Sequence, residues 1–286
     1  MAIVLDNITY TYGMGTPFEK TALHGISLTI ENGEFLGVIG HTGSGKSTFV
    51  QHLNGLLHPT TGTVTVNGVD ISASTEEAKK MRHKVGMVFQ YPEHQLFEET
   101  IALDIAFGPK NLGLSADEVD ERVRDAMKFV GLDYNTYAER SPFHLSGGQM
   151  RRVAIAGVVA MNPDFLVLDE PSAGLDPFGR DEIFEEIIRL HKEKGITVIL
   201  VSHNMEDISR MASRLVVLDK GRIVLDGEPM DIFNNHRDEL QAVGVDVPPV
   251  SVTMEYLREQ GLDVSNRVLS VDDAVQAILE GGSHVK

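Results

Sequence analysis

The sequence predicts an α/β fold built on a parallel sheet that is covered on both faces. Three short apolar runs, at 35–39, 165–168 and 197–201, do not alternate with polar residues, as expected of strands buried on both faces. Helical patterns lie between these runs, which is typical of an α/β core. The first 70 residues differ, because short β-branched runs separated by Gly and Asn predict a separate antiparallel β layer there.

The composition is that of a globular protein. A chain of 286 residues with 42% hydrophobic residues can form one large domain or two modest ones. No stretch approaches the roughly 18–20 consecutive apolar residues of a membrane-spanning helix, and the N-terminus lacks the pattern of a secretion signal. We therefore expect the protein to stay in the compartment where it is made. The absence of cysteine excludes disulfides and thiolate metal sites and agrees with a reducing cytosol.

The chain is strongly acidic. Its formal charge of −17, from 42 acidic and 25 basic side chains, would repel a phosphate backbone, and no local basic patch offsets it. We therefore expect no nucleic-acid partner. The acidity has two interpretations, which are simple solubility or an acidic surface that receives a basic protein partner.

The polar middle of the chain, about 92–155, predicts a helical subdomain. It lies between the first and second of the buried runs. Ser115 and Glu118 have the spacing of a capping box, in which each residue bonds the backbone of the other, so we expect a helix over 115–130.

The first domain, 1–235, is predicted to end after a hairpin over 215–225 and a helix that begins at Pro229. The remaining segment, 236–286, contains two short amphipathic stretches. The second is predicted to place its apolar residues on one face: Val271, Ala274, Val275, Ile278 and Leu279. So small an apolar face would hardly be stable alone. We expect this extension to pack on the main domain or on a second copy.

A glycine-rich loop carries the strongest chemical signal. It reads Gly-His-Thr-Gly-Ser-Gly-Lys-Ser over 40–47, and it follows an apolar run and precedes a helix start. In that setting the backbone N–H groups converge on phosphate oxygens, Lys46 reaches the β- and γ-phosphates, and the Ser47 hydroxyl ligates Mg²⁺. The sequence therefore predicts ATP binding by Gly40, Thr42, Gly43, Ser44, Gly45, Lys46, Ser47 and Thr48.

Functional groups also follow the other two buried runs. Asp169 and Glu170 come at the end of one, and His203 comes two residues after the other. The carboxyl ends of parallel strands meet at the ligand-binding edge of an open α/β sheet. We expect Asp169 to hold Mg²⁺, Glu170 to act as general base for the attacking water, and His203 to bond the γ-phosphate. Each could instead be an ordinary polar residue at a strand end.

A second glycine-rich helix start is Leu145-Ser146-Gly147-Gly148-Gln149. A helix N-terminus with a hydroxyl and flexible glycines is another anion-binding arrangement, yet the loop over 40–47 already surrounds one nucleotide's phosphates. We therefore expect Ser146, Gly147, Gly148 and Gln149 to contact a nucleotide held by another subunit. Two chains would then meet head to tail around two ATP molecules.

These motifs together resemble the nucleotide-binding domains of ATP-binding cassette (ABC) transporters, over about 3–233. The resemblance implies an ATPase in which Gln90 senses Mg²⁺ and the γ-phosphate, Lys46 joins Glu170 and His203 in catalysis, and the loop over 172–176 with Asp176 crosses a dimer interface. It also implies that an aromatic residue stacks on adenine. Tyr12 fits that position, with Tyr10 as the alternative.

A narrower resemblance is to the ATPases of energy-coupling factor (ECF) transporters, bacterial importers of vitamins and metal ions. It rests on the stretches 90–97 and 104–109, the helix over 147–161, the insertion at 16–19 and the C-terminal tail. The resemblance implies the second ATPase type of a heterodimeric pair, a dimerising tail, and a location at the cytoplasmic face of the cell membrane.

The ECF resemblance also implies two kinds of membrane partner, a coupling subunit with basic helices and a substrate-binding subunit. Four acidic residues cluster where the coupling helices would dock, and we expect them to receive basic residues: Glu93, Glu98, Glu99 and Asp104. The alternative is an ordinary solvated acidic face.

Three other functions remain possible from the sequence alone. A conventional ABC transporter ATPase is the nearest, although the tail and the segment after Gln90 argue against it. A soluble ABC protein of translation or DNA maintenance fits poorly. This chain has one cassette, with about 100 residues between its two glycine-rich motifs, and its negative charge would repel nucleic acid. A nucleotide-binding regulator that does not hydrolyse ATP is the third.

Overall fold

A computed structural model describes residues 1–265 and 267–281. It contains two sheets. The first is four-stranded and antiparallel, in the order β2-β1-β4-β5, and confirms the predicted N-terminal layer. Its strands are β1 (Ala2–Tyr12), β2 (Lys20–Glu31), β4 (Thr61–Val66) and β5 (Val69–Asp70).

The second sheet has six strands in the order β10-β9-β3-β8-β7-β6, and all of them are parallel except the edge strand β10. The three apolar runs form its centre, as predicted, and β6 was not predicted. Its strands are β3 (Phe35–Ile39), β6 (Val85–Val88), β7 (Phe165–Asp169), β8 (Thr197–Val201), β9 (Arg214–Asp219) and β10 (Arg222–Gly227).

The central strands are apolar on both faces because each face meets a different core. In β3, Leu36 and Val38 face an apolar cluster under the antiparallel sheet, whereas Phe35 and Ile39 face the cluster formed with the outer helices. This follows from the alternation of side chains along a strand. Helix α1 (Lys46–Leu53) fills the space between the two sheets with Phe49, among others.

Helices surround the second sheet and build the predicted helical subdomain. Ser115 and Glu118 form the expected capping box, with Glu118 accepting from the Ser115 N–H at 2.9 Å. The helices between α1 and residue 236 are α2 (Glu76–Arg82), α3 (Ile101–Asn111), α4 (Ala116–Phe129), α5 (Tyr134–Tyr137), α6 (Gly147–Val159), α7 (Pro177–Lys194), α8 (Met205–Met211) and α9 (Pro229–Asn235).

The C-terminal extension begins with residues that pack on the main domain, which is one of the two arrangements expected for it. Helix α10 (Arg237–Ala242) and the turn after it contribute Leu240 and Val245 to the main core, so a boundary after residue 235 falls inside a packed region. A separate small apolar cluster, which includes Met254, is formed by the last two helices, α11 (Pro249–Glu259) and α12 (Val271–Gly281), together with residues between them such as Val264 and Val268.

Only part of the apolar face predicted for α12 is buried. Ala274 and Ile278 pack into the small cluster, whereas the other three predicted residues are more than half exposed: Val271, Val275 and Leu279. No helix among residues 1–265 and 267–281 is both long and apolar enough to cross a bilayer.

Candidate active site

The glycine-rich loop over 40–47 joins the central strand β3 to helix α1, in the strand-loop-helix setting that was predicted. Gly40 cannot carry a side chain there, because a Cβ would lie 2.2 Å from the Leu218 carbonyl oxygen of β9. Gly45 adopts a φ of 106° at the helix N-cap, a conformation that favours glycine. The helix therefore begins with free N–H groups directed toward the loop, which is an anion-binding arrangement.

Lys46 is held inside this loop. Its side chain is only 7% exposed, and Nζ donates to the carbonyl oxygens of Gly40 at 2.7 Å and His41 at 3.0 Å. Burial lowers the pKa of the ammonium, and the carboxylates of Glu170 and Asp169 oppose that shift. The lysine is thus a buried cation at the phosphate-binding end of the loop, next to two acids.

The turn of the β9–β10 hairpin closes one side of the loop. The Gly221 N–H donates to the Ser44 carbonyl at 2.8 Å, and His41 Nε2 lies 3.0 Å from Asp219 Oδ1. These contacts fix the loop from a part of the chain about 180 residues away. The sequence predicted the hairpin but gave no sign that it would touch the loop.

A cavity of about 390 Å³ opens beside the loop and Tyr12. Besides the predicted Tyr12, Gly43, Gly45, Lys46, Ser47 and Thr48, it is lined by residues that the sequence analysis missed: Lys20, Thr21, Ala22, His24, Lys220 and Gly221. They come from β2 and the hairpin turn. No local motif marks them, because only the pairing of the two sheets brings them to the cavity.

The two candidate aromatic residues have different surroundings. Tyr12 lines the cavity, is 41% exposed, and places its hydroxyl 3.1 Å from Thr48 Oγ1. Tyr10 packs edge to face against Tyr12, with ring centroids 4.7 Å apart, and lies against the apolar cluster beneath. Burial raises the pKa of the Tyr10 hydroxyl. Of these two tyrosines, only Tyr12 lines the cavity beside the loop.

Asp169 and Glu170 lie at the carboxyl end of β7, next to the loop. Asp169 is buried, which raises the pKa of its carboxyl, and the Ser47 hydroxyl opposes that shift. Glu170 has a φ of 52°, uncommon for a residue with a side chain, and its Oε1 is buried without a hydrogen-bond partner. Burial raises the pKa of this carboxyl to about 7, with a further contribution from the Asp169 charge. A carboxylate with so high a pKa is well suited to accept a proton.

His203 follows β8 and reaches the same place. Its Nε2 lies 3.3 Å from Glu170 Oε1, although the geometry is not that of a hydrogen bond. Burial lowers the pKa of the imidazole, and the nearby Lys46 charge adds to the effect. The structure thus brings together Lys46, Ser47, Asp169, Glu170 and His203 at one edge of the sheet.

Some predicted site residues lie outside the cavity beside the loop. Gln90 is exposed two residues after β6, at the same edge of the sheet. Ser146 caps helix α6 and exchanges bonds with Gln149 at 3.3 Å and 3.1 Å, and Asp176 caps α7. None of these four residues lines the cavity beside the loop. For Ser146, Gln149 and Asp176, this placement agrees with contacts to a nucleotide held by a second subunit.

The structure corrects the expectation for the acidic cluster. The Glu93 carboxylate already pairs with the buried Arg151 at 3.1 Å, and Asp104 Oδ2 accepts the backbone N–H groups of Phe97 and Glu98. Both carboxylates therefore already have partners within the chain, which the sequence did not indicate. Of the four acids, only Glu99 is exposed.

Comparison with known proteins places the chain in a family. The model of the ABC transporter family matches residues 23–173, which include the loop over 40–47, the Ser146 segment and both strand-end acids. The chain belongs to the ABC transporter family. ATP binding by this chain follows from that membership.

The ABC family includes close relatives of this chain. One, the energy-coupling factor transporter ATP-binding protein EcfA2 of Clostridium tetani, is 54% identical over 280 residues, which covers 98% of this chain and 97% of that protein. The structure of cbiO1 from Clostridium perfringens, part of the ABC transporter complex cbiONQ, matches with a TM-score of 0.73 and 36% identity, covering 88% of this chain and 98% of that one.

A dimeric ABC cassette, MJ0796, bound to ADP and Pi after hydrolysis, matches with a TM-score of 0.70 and 30% identity, covering 79% of this chain and 98% of that one. The ABC fold predicted from the sequence is thereby confirmed.

Proposed function

We propose that this chain is the ATP-hydrolysing subunit of an ECF importer, at the cytoplasmic face of the cell membrane. The observation that supports this most is the meeting of Lys46, Asp169, Glu170 and His203 beside the nucleotide loop, in a chain more than half identical to an ECF ATP-binding protein. The importer would take up vitamins, related micronutrients or metal ions, since that is what the family resemblance implies.

The chain's own residues fit the chemistry of ATP hydrolysis. Lys46 and the N-terminus of α1 bind the phosphates, and Tyr12 stacks on the base. Glu170 orients the water and accepts its proton, because its pKa is near 7, and His203 holds the γ-phosphate side of the site. Gln90, in the segment after β6, contributes its side-chain amide at the same edge of the sheet.

Magnesium fits this site through oxygen ligands. Among the described residues, no group of three or more His, Cys, Asp and Glu side chains could hold a metal by itself. The Ser47 hydroxyl lowers the pKa of the Asp169 carboxyl, so these oxygens lie near each other, and Mg²⁺ prefers such oxygens together with phosphates. When bound, the ion neutralises charge on the phosphates. We propose Ser47, Asp169 and Gln90 as its protein contacts.

Tyr12 provides a direct test of nucleotide binding. Tyr12→Ala is expected to weaken ATP binding roughly 5- to 150-fold, because stacking of a base on an aromatic ring contributes about 1–3 kcal/mol. Tyr12→Phe keeps the ring and loses only the bond to Thr48, so it should bind nearly as the unchanged protein does. Titration of a fluorescent ATP analogue measures both. Unchanged affinity in Tyr12→Ala would exclude this residue from the base site.

The second ATPase type of a heterodimer is the proposed assembly, with Ser146, Gly147, Gly148, Gln149 and Asp176 meeting the partner's nucleotide. Support comes from their position away from the cavity of their own chain. Val271 and Val275 on α12 are apolar and exposed, which fits the dimerising tail proposed for 236–286, because a second ATPase would cover them.

The membrane partners would dock on an exposed aromatic patch after Gln90. Phe97 and Phe107 pack edge to face with centroids 4.9 Å apart, yet they are 56% and 47% exposed. Glu99, two residues after Phe97 in the chain, is also exposed. Aromatic residues at the centre and a charge at the rim are typical of a protein interface, and the acid fits the basic helices of a coupling subunit.

A reconstituted transporter tests this function. We expect the chain to co-purify with a coupling subunit and a substrate-binding subunit, and the complex in liposomes to drive ATP-dependent uptake. Glu99→Lys should weaken that association about tenfold or more by placing like charges together. Glu121→Lys, an exposed reversal on α4, is the matched control and should leave it intact. If no membrane subunit co-purifies with the chain, the proposal is contradicted.

A further inference from the structure

Arg151 is a charged side chain in the interior of the protein. It is 2% exposed and lies in the first turns of helix α6. Its guanidinium bonds in two directions. Nε and Nη2 donate to the Glu93 carboxylate at 3.1 Å, and Nη1 donates to the carbonyl oxygens of Pro171 at 3.0 Å and Ala173 at 2.9 Å.

These bonds join segments that are far apart in the sequence. Glu93 lies 58 residues before Arg151, in the turn that follows Gln90, and Ala173 lies 22 residues after it. The Ala173 N–H in turn donates to the Glu170 carbonyl at 3.1 Å. The same helix begins at Ser146. One guanidinium thus holds the segment after Gln90, the loop after Glu170 and the start of the Ser146 helix together.

The chemistry of arginine makes this junction rigid. A guanidinium is planar, stays charged, and has donors in a fixed fork, so it can bind a carboxylate and two carbonyls at once. A lysine would keep the charge but could not hold both sides in one geometry. Because the group is buried, a displaced Glu93 would leave an unpaired charge in the interior. Glu93 and the loop over 171–175 are therefore constrained to move together.

The adjacent Arg152 shows that position matters more than charge. Its guanidinium bonds Glu182 on α7, and neither of these side chains bonds Glu93 or the loop over 171–175. The Arg152 and Glu182 side chains are 23% and 37% exposed, against 2% and 16% for Arg151 and Glu93, so this pair is more accessible to solvent. The chain therefore contains a natural control for the buried pair, one residue away on the same helix.

We propose that Arg151 is a positioning residue that carries motion of the Glu93 segment, beside the aromatic patch, to the loop that follows Glu170. Docking of the membrane subunits on that patch then shifts the loop that follows Glu170. Conversely, a shift of that loop during catalysis moves the Glu93 segment and the patch beside it. The role of the patch rests on the proposed function. The junction itself rests on the bonds of one buried guanidinium.

Coupling of hydrolysis to uptake tests the inference in the reconstituted complex. Arg151→Lys and Glu93→Gln should each raise the ATP hydrolysed per substrate imported roughly 3- to 30-fold, the range expected when a residue that transmits coupling is changed. Glu182→Gln should leave this ratio as in the unchanged complex. A ratio within about twofold of the unchanged complex in Glu93→Gln, which retains the size of the side chain, would overturn the proposal.

Amide hydrogen exchange tests the physical link without transport. In the full chain, Glu93→Gln should speed exchange in the loop over 171–175 about tenfold, although Glu93 does not bond that loop itself. Glu182→Gln should not. Unchanged exchange in Glu93→Gln would overturn the junction. A complex that imports nothing even when unchanged would instead contradict the proposed function, and the exchange rates would still decide the role of Arg151.

Discussion

Glu170→Gln is expected to lower ATP turnover of the assembled transporter by about 10²- to 10⁴-fold, the contribution typical of a general base. The amide has nearly the same shape as the carboxylate but cannot accept the proton of the attacking water. ATP should still bind, because Glu170 does not line the cavity beside the loop. The dimer should therefore remain closed around its nucleotides, which size-exclusion chromatography with ATP measures.

Glu206→Gln is the control for that experiment. Glu206 is an exposed acid on α8, three residues after His203. Its change to an amide should leave turnover unaltered, because the side chain is in solvent. Rapid turnover by Glu170→Gln would remove Glu170 from the role of base and would leave its raised pKa as a consequence of burial alone.

Ser146→Ala in the assembled pair is expected to lower hydrolysis by about 10²- to 10³-fold, the effect of removing one donor that stabilises developing charge. The isolated chain should bind ATP as before, since Ser146 is absent from its cavity. Phosphate release by the pair and ATP titration of the single chain measure the two effects. Together they separate a shared site from a site complete within one chain.

Ser146 also caps a helix, so stability must be controlled. Ser115 caps α4 with the same reciprocal bonds that Ser146 makes on α6. Loss of either cap should destabilise the protein by about 0.5–2 kcal/mol. Ser115→Ala is thus a matched variant that loses a cap without touching a nucleotide. Equal turnover in the two variants would show that Ser146 acts only as a cap.

Sequence patterns predicted the features that depend on neighbouring residues. The buried strands, the nucleotide loop and the Ser115 capping box are all visible in short windows, and each is present in the structure. Asp169 and His203 could be predicted to meet because parallel strands end at one edge, a rule of topology. These predictions needed no knowledge of which loops touch.

What the sequence could not show is pairing between distant segments. Glu93 looked like a free acid, because its partner Arg151 is 58 residues away and arginines are usually exposed. The side chains of Lys20 and Lys220 enter the cavity only after two sheets and a hairpin have assembled. On α12, helical periodicity gave an apolar face but not which part of it the chain would cover.

The central place of β3 has a consequence for synthesis of the protein. This strand carries the nucleotide loop, and its two neighbours in the sheet are β8 and β9, which begin at Thr197 and Arg214. During synthesis on the ribosome, β3 therefore lacks both of its neighbouring strands until more than two thirds of the chain has been made. Fragments that end before Arg214 would expose an apolar strand edge, and such edges promote aggregation. Prematurely terminated chains should thus be cleared by proteases rather than bind ATP.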